Sequence, residues 1–261
     1  MKKLYLIGNW KMNPATQEEA QKLASDISRG IKKLKDKNVE VVVCPPFTYL
    51  SVVKGQMSKV AKSQAISMGA QDMYFEEFGA YTGEISPSML RNAGVKYVIV
   101  GHSERRGFLG ETNEMINKKL HTAIKYKIVP IFAIGESKKD GEGSIQEIRT
   151  QLSDGLKNLK SSEVKKIIFV YEPVWAISGG DKTHKSASPN DVLGMRIFIK
   201  KILANLYNRR LAESVPIIYG GSSNASNVEG FIRQAEMDGA LVGGASLDAE
   251  EFLKMVEVLA K

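Results

Sequence analysis

The sequence predicts an α/β protein: one closed (β/α)8 barrel of parallel strands. Three observations predict it. Eight short apolar runs, rich in β-branched and aromatic residues, alternate with helix-forming stretches along 261 residues. Runs that are apolar throughout read as strands buried on both faces, as in a parallel sheet covered by helices. No linker, low-complexity segment or literal repeat divides the chain, so residues 1–261 read as a single domain. The alternative, an open doubly wound sheet, calls for G-x-G-x-x-G after the first strand, and Gly8-Asn9-Trp10-Lys11 is not that turn.

The first strand runs from Leu4 to Trp10 and ends in the polar loop Lys11-Met12-Asn13-Pro14. Thr16 with Glu19 forms a capping box for a helix to about Lys35. Val39–Cys44 is the second strand, stopped by Pro45-Pro46, with a short helix over Phe47–Lys54. Ala65–Ala70 is a weaker third strand, followed by a long loop, Gln71 to Glu84, carrying Tyr74, Phe75, Phe78 and Tyr81. Ser86-Pro87 starts a helix through Asn92, with serine as cap and proline in the first turn. Tyr97–Gly101 is strand four, and Thr112 caps a helix whose Ile116, Leu120 and Ile124 share one face. Ile128–Ile134 is strand five, followed by a polar helix from about Ser144 to Leu159. Strand six is Ile167–Tyr171. Ser188 then caps a helix to about Tyr207, and Pro216–Tyr219 is strand seven. A helix over Val228–Gln234, strand eight at Ala240–Val242 and a last helix burying Phe252, Leu253, Val256 and Leu259 complete the chain.

Composition narrows the functional classes. With 43% hydrophobic and 25% charged residues, the chain matches soluble globular proteins and buries its core without staples. The single cysteine, Cys44, rules out an internal disulfide and reads as a buried strand-end thiol in a reducing compartment. No signal peptide and no membrane-length apolar window is visible, so a cytoplasmic protein is expected. The net charge of +8 comes from scattered lysine pairs, not a stripe with interleaved aromatics. Such a surface favours small anions over nucleic acid.

Chemistry gathers at the strand C-termini, which in a barrel open on one face. Asn9 and Lys11 follow strand one, His102 and Glu104 strand four, Glu172 strand six, Ser222 strand seven, and Gly243-Gly244 strand eight. The segment Pro173-Val174-Trp175-Ala176-Ile177-Ser178-Gly179-Gly180 is an apolar tip between a proline stop and a glycine hinge. It reads as a lid with Glu172 at its root, in a site that closure would dry. Glycine pairs after strands seven and eight expose backbone N–H groups that suit a phosphate. His102 opens a helical turn, which favours a neutral imidazole able to donate a hydrogen bond. A cation, a neutral donor and a carboxylate around one small phosphorylated ligand suit proton abstraction beside a carbonyl and stabilisation of an enediolate.

These segments together resemble one family. Gly8–Asn13, Gly101–Arg106, Tyr171–Ile177, Tyr219–Ser222 and Leu241–Leu247 are similar, in order and over the full length, to the motifs of triosephosphate isomerase. The resemblance implies the TIM-barrel fold and interconversion of dihydroxyacetone phosphate and D-glyceraldehyde 3-phosphate, with no metal and no cofactor. It implies that Glu172 moves the proton, that His102 is the electrophile, that Lys11 and Asn9 stabilise charge and orient substrate, and that Glu104 supports them. Backbone N–H groups of Ser178, Ser222 and Gly244, with Gly243 beside them, would hold the phosphate, and Tyr219 and Ser222 would latch the lid. The loop Gly79–Glu84 is similar to the family's interlocking loop, so a homodimer with Thr82 reaching the partner's site is implied. Two departures stand out: the hinge Ser178–Ser188 is longer than the family's, and Ala133 replaces a usual cysteine beside the base. The rival readings are a phosphate-binding barrel lyase or synthase, and an inactive barrel that binds a phosphometabolite.

Overall fold

The apolar runs become strands because both faces of each find cover. In the computed structural model, which describes residues 3–33, 38–60, 66–139, 141–177 and 187–260, eight parallel strands close into a barrel in chain order. They are β1 (Leu4–Asn9), β2 (Val39–Cys44), β3 (Ser67–Ala70), β4 (Tyr97–Val100), β5 (Val129–Ile134), β6 (Ile168–Tyr171), β7 (Ile217–Tyr219) and β8 (Gly239–Val242). Pairing of β1 with both β2 and β8 closes the ring. Around it lie α1 (Gln17–Lys33), α2 (Leu50–Val60), α3 (Pro87–Asn92), α4 (Ser103–Leu109), α5 (Asn113–Lys125), α6 (Glu142–Gly155), α7 (Ser161–Val164), α8 (Pro189–Leu206), α9 (Arg209–Ser214), α10 (Val228–Arg233) and α11 (Ala249–Leu259).

Strand alternation divides the core in two. Ile7, Val42, Ile99, Ile131, Val170, Ile218 and Leu241 point inward and pack with Cys44 and Ala133 as the barrel filling. Their neighbours, among them Leu6, Val43, Phe132, Phe169, Tyr219 and Val242, point outward under the helices. Burial pushes the Cys44 thiol up, so it stays protonated and inert, as its sequence setting suggested.

The expected caps form. Thr16 and Glu19 exchange hydrogen bonds at the start of α1. Ser86, Thr112 and Ser188 each accept the N–H three residues on. Each such cap contributes about 1 kcal/mol.

Differences are local. The helix predicted over Phe47–Lys54 is a 3-10 turn, Phe47–Tyr49, followed by the longer α2, whose Leu50, Val53 and Met57 are buried at helical spacing. The polar helix predicted to Leu159 ends at Gly155, and α7 follows as a separate turn. Between them Asn158 takes a left-handed φ of 65°, which no helix continues through. The six-residue α9, capped by Asn208, is too short to register as a helical period. The predicted ends of the first helix at Lys35 and of the third strand at Ala65 lie outside the described residues.

A buried charge network ties the loop after β3 to α4 and α5. Lys119, 1% exposed, bonds Asp72 (2.7 Å) and also Glu111, while Arg105 reaches Asp72 (2.9 Å). Burial pushes the Asp72 carboxyl up to about 6, against the pull of Lys119. Replacing Lys119 by methionine leaves the buried Asp72 and Glu111 with only Arg105 to offset their charge, and is expected to lower unfolding stability by about 3–5 kcal/mol in urea melts.

Candidate active site

Parity decides which side chains enter the barrel mouth. The inward row of β6 is Ile168 and Val170, so the next inward position is Glu172. The inward row of β1 ends at Asn9 in the same way. The rows of β5, β7 and β8 continue to Gly135, Gly220 and Gly243, which bring no side chain into the mouth. Gly220 is required there: a Cβ would lie 2.5 Å from Val170 Cγ1 and 3.3 Å from Glu172 Cβ.

The residues singled out from strands one, four and six meet. The Glu172 carboxylate, 2% exposed, has Oε1 at 3.0 Å from His102 Nε2. Ser103 donates its N–H to Glu172 Oε2 (2.9 Å) and its hydroxyl to Oε1 (2.9 Å). His102 is the N-cap of α4, and its Nδ1 accepts the Glu104 N–H at 3.3 Å. An acceptor Nδ1 puts the ring proton on Nε2, facing the carboxylate. Lys11 Nζ donates to Glu104 Oε1 at 2.5 Å. Lys11 sits at a left-handed φ of 53°, and its own N–H donates to Asn9 Oδ1 (3.1 Å). A non-glycine residue held there stores strain that functional sites tolerate. Lys11 also passes over Gly243, its Cε 3.4 Å from where a Cβ would stand.

Burial alone would push the Glu172 carboxyl up. The His102 imidazole and the bonds from His102 and Ser103 outweigh burial and hold it below the usual carboxylate range. Burial pushes His102 down, yet the Glu172 charge outweighs that and raises it. The lowered histidine expected from the helix end is therefore not what this geometry produces: a carboxylate at 3.0 Å outweighs a helix terminus.

The lid root is a 3-10 turn, Val174–Ala176, where the sequence suggested neither strand nor helix. Trp175 Nε1 and the Tyr171 hydroxyl both donate to Glu136 Oε1 (2.7 Å each), and Val174 N–H donates to the Glu136 carbonyl (3.1 Å). Pro173 and Ala176 are buried, and Ile177 is partly covered. The lid residues Ser178, Gly179 and Gly180 lie outside the described residues. Ser222 N–H reaches the Ala176 carbonyl at 3.4 Å, a direct link between the segment after β7 and the lid root. Tyr219 is buried at the end of β7, its ring stacked on Phe231. Gly243 caps a 3-10 turn, Gly244–Leu247, without a side-chain hydrogen bond. Thr82 is not brought to this cluster. It lies exposed on the loop between β3 and α3. Among the described residues no cluster of three or more His, Cys, Asp or Glu is arranged to hold a metal ion.

Ser103 and Glu136 went unrecognised in the sequence. Ser103 had one signal, its place directly after a helix-capping histidine. Glu136 had another, a carboxylate just past a strand end, the same signal that marked Glu172.

Fold and site define the class: a (β/α)8-barrel enzyme with a carboxylate and an imidazole facing each other at the mouth. A family model described as triosephosphate isomerase matches residues 4–259. Triosephosphate isomerase of Dictyoglomus thermophilum is 44% identical over 261 residues, covering 98% of this chain and all of the relative. That of Caldanaerobacter subterraneus subsp. tengcongensis is 44% identical over 258 residues, and that of Clostridium botulinum 41% over 259, each covering 98% of this chain and 99% of the relative. The chain belongs to the triosephosphate isomerase family, and it is an isomerase.

Ser103→Ala removes one donor to the ionised carboxyl, so the Glu172 pKa rises toward its ordinary value. Activity that needs the carboxylate is lost as pH falls, and in this variant it should be lost at higher pH. The acid limb of the kcat/KM profile is expected to shift upward.

Proposed function

We propose that the protein interconverts dihydroxyacetone phosphate and D-glyceraldehyde 3-phosphate, with Glu172 as the base. The observation that carries the roles is the buried pairing of Glu172 Oε1 with His102 Nε2 at 3.0 Å, within reach of Lys11 through Glu104. Glu172 takes the proton from the carbon beside the carbonyl and returns it to the neighbouring carbon. His102 donates from Nε2 to the substrate oxygens as charge develops on them. Lys11 adds positive charge, Asn9 orients it through the backbone, and Glu104 holds its ammonium.

The hydrogen bonds on the carboxyl bear on basicity. His102 and Ser103 stabilise the ionised carboxyl and make it a weak base. A substrate oxygen that claims the His102 Nε2–H removes the largest of these supports, so Glu172 becomes more basic as substrate binds. The charge that raises His102 also vanishes when Glu172 takes up the carbon-bound proton, leaving the imidazole neutral when it must donate.

Backbone N–H groups at Ser178, Ser222, Gly243 and Gly244 are the proposed phosphate grip. The turn at Gly244, whose first N–H groups no side chain caps, supports it, because such groups favour an anion. Lid closure, latched through Tyr219 and Ser222, would exclude water and protect the enediolate. The scheme uses no metal or cofactor.

A homodimer is proposed on exposed apolar side chains after β1, β3 and β4. Met12 is 95% exposed, Phe78 87% and Phe108 84%, large apolar side chains left uncovered on the segments that follow these three strands. Thr82 would then act at the partner's site. No helix among the described residues is long and apolar enough to cross a membrane. We place the protein in the cytoplasm, acting on small phosphates and not on nucleic acid or a membrane.

A coupled assay with glyceraldehyde 3-phosphate tests the reaction. Glu172→Asp retracts the carboxylate by one methylene and should slow turnover by about a hundredfold, with a smaller change in KM. Near-normal turnover would remove Glu172 from the base role. His102→Gln should fold normally and lose most turnover. Phe78→Asp should move the protein to monomer mass in light scattering; an unaltered mass in the wild type and the variant at monomer size would dismiss the dimer.

A further inference from the structure

One side chain holds the backbone of Gly135 from outside the barrel. Gly135 stands one residue past β5, where its ladder to β6 runs out. The last bonds of that ladder tie Ile134 to the base, since Glu172 N–H donates to the Ile134 carbonyl at 2.8 Å. Gly135 then lies so close to residue 172 that a Cβ on it would be 1.8 Å from the Glu172 carbonyl oxygen. Its own N–H and C=O turn toward α6 and meet Gln151. Gln151 Oε1 accepts the Gly135 N–H (2.9 Å), and Gln151 Nε2 donates to the Gly135 carbonyl (2.9 Å). The side chain is 5% exposed. The amide end replaces the strand that Gly135 lacks, and only one orientation works, because a flipped amide would set donor against donor.

The same face of α6 carries a second tether. Glu147, one turn before Gln151, accepts both the N–H and the hydroxyl of Ser137 (3.0 Å each). Residues 135–137 are thus held from the helix at two points, and between them Glu136 anchors Trp175 and Tyr171 at the lid root. Beside this junction is a cavity of about 260 Å³, lined by Ser103, Arg106, Ala133, Gly135, Gln151 and Glu172. Ala133, where the family usually has a cysteine, adds little bulk to this wall, and the open space gives Gly135 and Glu172 room to shift if nothing restrains them.

We propose that Gln151 is a positioning residue for the isomerisation: through Gly135 it fixes the backbone of Glu172, and so the place from which the carboxylate reaches substrate. Glutamine combines a donor and an acceptor at that length whatever the pH. Glutamate matches it only while protonated and loses the donor once ionised, asparagine is one methylene short, and methionine offers neither. The proposal rests on Glu172 being the base.

The test is Gln151→Met in the full chain, assayed with glyceraldehyde 3-phosphate across pH, beside Gln151→Glu, Glu172→Asp and Ile148→Val. The methionine keeps the length and removes both bonds. Its kcat is expected to fall roughly tenfold with KM changed less than about twofold, because a displaced base costs turnover more than binding. Its acid limb should shift upward as Glu172 loses contact with Ser103 and His102. Gln151→Glu, read at the alkaline end of the pH range where its carboxyl is ionised and cannot donate, should show the same loss of kcat and carries the test if the methionine variant does not fold. Ile148→Val loosens the same helix without touching Gly135, and should lower the melting temperature while kcat stays at the wild-type value. If the Gln151 variants match that control, losing only melting temperature, the clamp is a structural bond and the proposal fails. Normal turnover in Glu172→Asp removes the base reading and the clamp with it, whereas slow Glu172→Asp with normal Gln151→Met removes the clamp alone.

Discussion

Closure of the barrel makes every strand answer to one alternation. Residues two apart share a face, and in a closed sheet one face has nowhere to go but the centre. Val170 points inward, so Glu172 must enter the mouth. Shift β6 by one residue, and the carboxylate would lie under the helices while Tyr171 filled the mouth. The glycines at the ends of β5, β7 and β8 complete the constraint. They bring no side chain into the mouth; Gly135 and Gly220 let neighbouring backbones close on the root of Glu172, and Gly243 makes room for Lys11. Packing that any parallel barrel needs thus delivers one acid to one place.

Electrostatics then acts on what packing has placed. A buried carboxylate alone would take up a proton. Here an imidazole, a backbone N–H and a hydroxyl keep it ionised, and the imidazole is the one of the three that the proposed scheme hands to a substrate oxygen. The helix that begins at Ser103 serves twice. Its first N–H holds the base, and its second fixes the imidazole tautomer. Lys11 and Glu104 extend the chain of charge to the first strand.

Strand identity was legible because apolar runs of three to six residues are local signals, and the caps at Thr16, Ser86, Thr112 and Ser188 were legible for the same reason. Placing Asn9, Lys11, His102, Glu104 and Glu172 on one rim needed only strand count and closure. What the sequence hid depends on contacts distant along the chain. Gln151 sits on a helix read simply as polar, and nothing local distinguishes an amide that grips a strand end from one in water. Glu136 looked like a loop residue until Trp175 and Tyr171 closed on it. The direction of the His102 shift also failed from sequence: its helix end was visible, but the distance to Glu172 was not.

The most direct measurement is a crystal structure of the Glu172→Gln variant with dihydroxyacetone phosphate held in the site, since the amide cannot remove the proton. The expected result is a substrate whose reacting carbons lie over the side chain of residue 172, about 3–3.5 Å away, with the carbonyl oxygen against His102 Nε2 and the phosphate at Gly243 and Gly244. A substrate bound with its carbons turned away from residue 172, or held at another part of the rim, would contradict it.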